Sequence, residues 1–171
     1  MQERPDDIRQ LQAVLDASFA AAGPHLAGVA APERRLDARQ LAERLVGMRL
    51  LVLATSTRDG RPINAPVDGV FYRGRFHFGS SPESLRYRHL RERPTVSATH
   101  LPGESLAVTV HGDAEFVDVH SADNAEFKQT LLDIYTPRYG DSWADMLDAG
   151  AWYARIEPRR MFTFWMPENE S

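Results

Sequence analysis

The amino-acid sequence predicts a mainly β, α+β protein: a small six-stranded antiparallel β-barrel with flanking helices and an N-terminal helical extension. From Met48 onward the apolar residues form short runs of strand length, while the preceding residues show a helical period. Short turns such as Asp59-Gly60 and Arg73-Gly74 join consecutive runs, which is typical of antiparallel hairpins. We therefore divide the chain into a helical extension, residues 1–47, and a barrel domain, residues 48–171.

The extension contains two predicted helices. The first covers residues 6–22 and ends at Gly23-Pro24, and the piece up to Pro32 is predicted to be a connector. Its apolar stripe consists of Ile8, Leu11, Val14, Leu15 and Phe19.

The second helix begins at Asp37 and ends near Gly47. Asp37 and Gln40 have the spacing of a capping box, and Leu36 and Leu41 occupy hydrophobic-staple positions around them.

The barrel domain contains the predicted strands. The run at residues 49–55 is apolar enough to be buried on both faces. A helix within 79–94 interrupts the strands, and helices at 122–135 and 142–147 precede the last ones. The remaining strands are 63–72, 75–78, 95–100 and 106–119, and the chain closes with two strand-like pieces, 152–156 and 161–165.

Residues 79–94 hold the most suggestive local pattern. Ser81 is a good N-cap, Pro82 suits the first helical position, and Pro94 ends the helix. Hydroxyls at Ser80 and Ser81, a helix N-terminus and Arg86 one turn later could together bind a phosphate. A capped surface helix with solvated arginines explains the same residues equally well.

Composition excludes several classes of function. The chain has 171 residues, 43% hydrophobic and 26% charged, so it can bury a core as one domain. It has no cysteine, and no histidine or acidic spacing suggests a metal site. A net charge of −4 disfavours nucleic-acid binding. Because Lys128 is the only lysine, any single arginine carries less weight.

No signal peptide or membrane-length apolar run is visible, so we expect a cytoplasmic protein that does not bind membranes. The acidic residues near the two ends, Asp6, Asp7, Glu168 and Glu170, are predicted to be solvated.

Five segments, in order, resemble the pyridoxamine 5′-phosphate oxidase-like, FMN-binding split-barrel family. They are GRPINAPVDGVFY (60–72), FHFGSS (76–81), LRYRHLRERPTVS (85–97), VHGDAEFV (110–117) and RIEPRRMF (155–162). The resemblance covers about residues 45–165 and leaves the N-terminal helices outside it.

The resemblance implies a homodimer with two FMN sites between the subunits. Backbone groups of the second strand would run along the flavin ring at Ala65, Pro66, Val67 and Asp68. The phosphate would be bound by Ser80, with Ser81, and by Arg86, where the family usually has lysine. The chemistry would be a hydride or electron transfer with a small-molecule substrate, and the flavin needs no catalytic acid or base from the protein.

Departures from the oxidase concern three polar positions. The oxidase has an arginine at the position of Ala65, a lysine at Val70 and a glutamine at Ala107. These losses argue against pyridoxamine phosphate as the substrate. The expected protein is therefore a related flavin-dependent oxidoreductase whose substrate is unassigned.

Two alternatives remain on the same fold. A reductase could use the deazaflavin coenzyme F-420, with Arg88 and Arg91 lining a groove for its acidic tail. A non-enzymatic protein could bind flavin or haem, although no histidine is singled out as an axial ligand. His100 and His111 are more typical of packing or surface residues, and His77 is predicted to face outward. Trp152, Phe164 and Trp165 are predicted to lie in the core or in a dimer interface.

Overall fold

The computed structural model describes residues 1–167 and shows a closed barrel of six antiparallel strands, which confirms the predicted fold class. Around the barrel the strand order is β1-β2-β3-β6-β5-β4, with β4 returning to β1. The strands are β1 (Met48–Ser56), β2 (Pro62–Tyr72), β3 (Arg75–Ser80), β4 (Thr95–His100), β5 (Leu106–Val117) and β6 (Trp152–Trp165). The α-helices of the described part are α1 (Pro5–Ala20), α2 (Pro24–Val29), α3 (Ala38–Arg44), α4 (Leu85–Glu92), α5 (Ala125–Tyr139) and α6 (Ser142–Asp148).

The last strand differs from its prediction. The two strand-like pieces are one continuous strand, β6, that pairs with β5 along almost its whole length. Pro158 does not break β6, because it lies opposite Gly112 at an irregularity in the β5–β6 register. A Cβ on Gly112 would collide with the backbone carbonyl of Glu157, so only glycine allows this close approach of the strands.

The N-terminal helices pack into the same core as the barrel. The predicted capping box is present: Gln40 N donates to Asp37 Oδ1 at 2.8 Å, and Asp37 N donates to Gln40 Oε1 at 3.0 Å. Two polar contacts then join the extension to the last strand. Met161 N donates to Ser18 Oγ at 2.9 Å, and Leu36 N donates to Thr163 Oγ1 at 2.9 Å.

The stretch between the first two long helices is not the plain connector that was predicted. It contains the short helix α2 and a 3₁₀ turn at Pro32–Arg34, and each starts with a proline at its first position. Proline is tolerated there because its missing N–H would have had no helical partner.

The prediction that β1 is buried on both faces is wrong. Leu51 and Leu53 point into the barrel and are buried, whereas Leu50 is 59% exposed and Val52 is 50% exposed. The outside of the barrel is covered elsewhere, where α5 and α6 form a second apolar cluster with residues of β2 and β6. An apolar strip along β1 is therefore left open.

The helix α5 also changes the environment expected for His77. His77 lies on the outer face of β3 as predicted, but Phe127 of α5 packs over it at 4.4 Å between ring centroids, and His77 is only 5% exposed. Trp152 is buried in the barrel core, as predicted, and Trp165 is half-buried beneath the Arg44 guanidinium of α3.

Within residues 1–167, none of the helices combines the length and the hydropathy that a membrane span requires. Glu168 and Glu170, which are predicted to be solvated, lie outside the described residues.

Candidate functional site

The barrel opens along one edge of β2. This strand pairs with β1 from Pro62 to Val70, but with β3 only from Gly69 to Tyr72. Beyond that point β3 leaves β2 and pairs with β6 up to Ser80. The first half of β2 therefore has a strand neighbour on one side only, and the backbone groups on its other side face a gap between β2 and the β3–α4 segment.

Pro66 shows which backbone groups face this gap. Its carbonyl accepts a hydrogen bond of 3.2 Å from Arg86 Nη2, so it points away from β1. Because backbone groups of successive strand residues alternate in direction, those of Asp68 point the same way, and those of Ala65 and Val67 point towards β1. Of the four residues predicted to follow a flavin ring, Pro66 and Asp68 offer backbone atoms to the gap, and the Val67 side chain is buried in the core.

The helix beside the gap starts later than predicted. Ser84, and not Ser81, is the N-cap of α4: its Oγ accepts from Tyr87 N at 3.2 Å. Ser81 is held in the preceding turn, where its carbonyl accepts from Trp152 Nε1 at 2.7 Å and from Ser84 N at 3.0 Å. Arg86 is consequently the second residue of the helix, close to the N-terminal N–H groups.

Arg86 is a half-buried cation to which the described part of the chain supplies no anionic partner. Its hydrogen bond to Pro66 uses one of five N–H donors, and among residues 1–167 no carboxylate forms an ion pair with it. Burial lowers the pKa of the Arg86 guanidinium, yet arginine stays charged at neutral pH. A charge that is partly removed from water and left unpaired favours an anionic ligand.

Five of the seven predicted site residues line one of two cavities. A cavity of about 380 Å³ lies between β2, β3 and the α5–α6 helices, and Asp68, Ser80 and Ser81 line it. A smaller cavity of about 200 Å³ is lined by Ala65 and Arg86. Val67 lines neither of the two.

Sequence reasoning missed Ser84 in the smaller cavity and the aromatic residues of the larger one, Tyr135, Trp143 and Tyr153. The tyrosines lie on α5 and β6, and no local motif connects them with β2. Burial raises the pKa of both tyrosines above the usual range, and the negative charge of Asp68 raises it further. Both hydroxyls therefore keep their protons at neutral pH and can donate hydrogen bonds.

The histidines are occupied elsewhere. His100 Nδ1 donates to the Leu50 carbonyl at 2.9 Å, and burial lowers the pKa of this imidazole. His111 shares a hydrogen bond of 2.7 Å with Ser97 Oγ on the neighbouring strand. Neither cavity has a histidine in its lining.

Comparisons with known proteins identify shared folds. No protein-family model matches the chain, and no curated protein matches it either. Among solved structures, the conserved hypothetical protein Rv2991 of Mycobacterium tuberculosis superimposes with a TM-score of 0.66 at 21% identity, over 82% of this chain and 94% of that one.

Two further similar structures belong to proteins that are named for a cofactor. The haem storage protein HutZ of Vibrio cholerae gives a TM-score of 0.61 at 19% identity, over 77% of this chain and 95% of that one. A FAD-binding protein of Mesorhizobium loti gives 0.56 at 20% identity, over 76% and 93%. At these identities the likeness shows a common split-barrel fold.

Proposed function

We propose that this protein is a flavin-dependent oxidoreductase acting on a small molecule, with FMN bound in the gap between β2 and the β3–α4 segment. The observation that carries the proposal is Arg86, a half-buried guanidinium without a carboxylate partner among the described residues, placed at the open edge of β2. The flavin would supply hydride or electron transfer when bound. The protein's own residues would bind it, orient it and exclude water.

The residues at the gap fit the chemistry of FMN. Arg86 and the hydroxyls of Ser80 and Ser81 are donors for the phosphate. The open edge offers the N–H of Asp68 and the carbonyl of Pro66 to the polar rim of the ring. The description of the Mesorhizobium loti protein as FAD-binding supports a flavin on this fold.

Haem is the second candidate cofactor, supported by the description of HutZ. Neither cavity offers an imidazole, and the cavity tyrosines hold their protons tightly, which disfavours both usual kinds of axial ligand.

The deazaflavin alternative rests on Arg88 and Arg91, which are exposed on α4. An absorption spectrum of purified protein after addition of each cofactor separates the three, because flavin, deazaflavin and haem absorb at different wavelengths.

Pyridoxamine phosphate is not the proposed substrate. Val70, where the oxidase has a lysine, is 2% exposed and packs in the apolar cluster beneath α5, so it leaves no room for a charged side chain. Ala65 and Ala107 remove two more polar contacts. The substrate of this protein is thus a compound with different polar groups.

Replacing Arg86 with alanine should weaken FMN binding by about 1.5–3 kcal/mol, the range of a charged hydrogen bond, or roughly 10- to 150-fold in Kd. Fluorescence titration of FMN measures this, with circular dichroism to verify the fold. Arg88→Ala is the matched control, since Arg88 is exposed on the same helix, and its Kd should change little. Equal affinity in the wild type and Arg86→Ala would contradict the phosphate site.

We also propose that a second copy of the chain covers the open strip on β1. A row across the barrel surface joins Pro66 of β2, Val52 of β1, Thr99 of β4 and Thr109 of β5. Apart from the Thr99–Thr109 hydrogen bond, this row has little polar character. The fifth strand thus contributes Thr109 to the proposed interface. Trp165 instead packs under Arg44.

Sedimentation velocity should therefore show a dimer, and Val52→Asp should dissociate it at micromolar concentration by placing a charge in an apolar interface. Val29→Asp is the control: Val29 is also exposed, on α2, and this variant should remain dimeric. A wild-type monomer that binds FMN with full affinity would rule out a site shared between subunits.

A further inference from the structure

The larger cavity has a fixed aromatic wall. Tyr135 of α5 and Trp143 of α6 stack with 4.6 Å between ring centroids and 10° between planes. Tyr153 of β6 completes the wall, and Gly79 permits its close position, since a Cβ there would approach the Tyr153 ring to 2.8 Å. A wall of packed rings suits a flat apolar group better than a flexible or strongly hydrated one.

Asp68 is the one charged side chain among the residues that line this cavity. It is half-buried, and no hydrogen bond or ion pair to it occurs within residues 1–167. A carboxylate in mostly apolar surroundings is costly unless a cation or a donor satisfies it. The remaining polar groups, the hydroxyls of Tyr135 and Tyr153 and of Ser80, are neutral.

We propose that this cavity binds a planar aromatic compound that carries a protonated amine, with the ammonium group at the Asp68 carboxylate and the ring against Tyr135, Trp143 and Tyr153. That this compound is the substrate rests on the proposed oxidoreductase function. The binding itself needs no flavin.

The charge of the cavity also separates two classes of ligand. A carboxylate or phosphate on the substrate would meet Asp68 at short range, and like charges repel in a site that is shielded from water. Arg86, which could compensate, is absent from this lining and lines the smaller cavity instead. An aromatic compound whose anionic group would lie at Asp68 should therefore bind weakly to this cavity.

Calorimetric titration of flavin-free protein at neutral pH tests the inference with three probes of similar shape. These are 2-phenylethylamine, which is a cation, 2-phenylethanol, which is neutral, and phenylacetate, which is an anion. We expect the amine to bind at least about tenfold more tightly than the alcohol, as one charge-assisted hydrogen bond implies, and phenylacetate to bind most weakly. Equal binding of the three probes, or no binding of the amine, would overturn the inference without the use of any variant.

Asp68→Asn then assigns the preference to this carboxylate, because the amide has nearly the same shape and no charge. The amine should lose its advantage while the affinity for 2-phenylethanol is unchanged. Asp123→Asn, at an exposed aspartate outside the cavity lining, should keep the advantage. A preference that survives in Asp68→Asn would refute the role of Asp68. Failure of the FMN titration alongside a positive amine titration would remove the proposed cofactor and leave the cavity assignment intact.

Discussion

Acidification from pH 7 to pH 4 is expected to destabilise this protein by about 3 kcal/mol through one side chain, His77. Burial beneath α5 lowers the pKa of this imidazole from 6.5 to about 3. The Arg75 carbonyl, which accepts from Nδ1 at 3.2 Å, acts in the opposite direction and favours the charged form. The positive charges of Arg155 and Arg75 lower the pKa further.

The sign of this effect follows from proton binding. Between pH 6.5 and pH 3 the unfolded chain binds a proton at His77, and the folded protein does not. Protons therefore favour unfolding throughout that window, and the stability falls as the pH falls. Above pH 6.5 both states are neutral at this position, and the contribution vanishes.

Urea unfolding at pH 7 and at pH 4 measures the effect, with His77→Phe as the comparison. Phenylalanine keeps a ring beneath Phe127 but cannot be protonated, so the variant should lose less stability on acidification than the wild type. The carboxylates titrate in both proteins and cancel in this difference. His111→Gln, at an exposed histidine, should leave the wild-type loss unchanged. An identical loss in the wild type and His77→Phe would show that His77 is not responsible.

Gly112→Ala should destabilise the protein by about 3 kcal/mol or more, or prevent it from folding. The added Cβ would overlap the Glu157 carbonyl oxygen and lie 2.9 Å from the Glu157 carbonyl carbon. These are backbone atoms of β6, so relief requires the β5–β6 pairing to open. Unlike a side chain, they cannot rotate away.

Chemical denaturation of Gly112→Ala and Gly103→Ala gives the comparison. Gly103 has open space around its Cβ position and does not have a positive φ, so its replacement should change the stability by less than about 0.5 kcal/mol. A Gly112→Ala protein with the same unfolding midpoint as the Gly103→Ala protein would contradict the strand contact described here.

Local sequence signals predicted the parts of this fold that depend on local chemistry. Asp37 and Gln40 satisfy each other's backbone groups wherever the rest of the chain lies, and β4 begins and ends at the predicted residues. The division of β6 into two predicted pieces was wrong, because the strand continues through Pro158 at an irregularity opposite Gly112 on another strand. The prediction for β1 was wrong for a different reason. Leu50 and Val52 are apolar but exposed, and apolar character alone does not reveal which face of a strand is covered.

At the candidate site, too, local sequence signals could not reveal contacts with distant parts of the chain. Ser81 and Ser84 are both reasonable N-caps, and the choice between them involves Trp152, which binds the Ser81 carbonyl from a distant part of the chain. Arg86 was singled out from the sequence because its signal is local, a cation early in a helix after two serines. The aromatic wall beside Asp68 was not, since α5, α6 and β6 meet β2 only in the folded protein.

The contacts between the N-terminal helices and β6 also constrain the order in which this chain can fold. Ser18 and Leu36 find their partners at Met161 and Thr163, which a ribosome synthesises more than a hundred residues later. Until β6 exists the barrel cannot close, and the apolar sides of α1 and α3 lack their docking surface. Such long-range pairing slows folding and leaves apolar surface exposed in the meantime. The helices α1 and α3, which precede the barrel in the chain, are thus secured only after β6, which follows the other five strands.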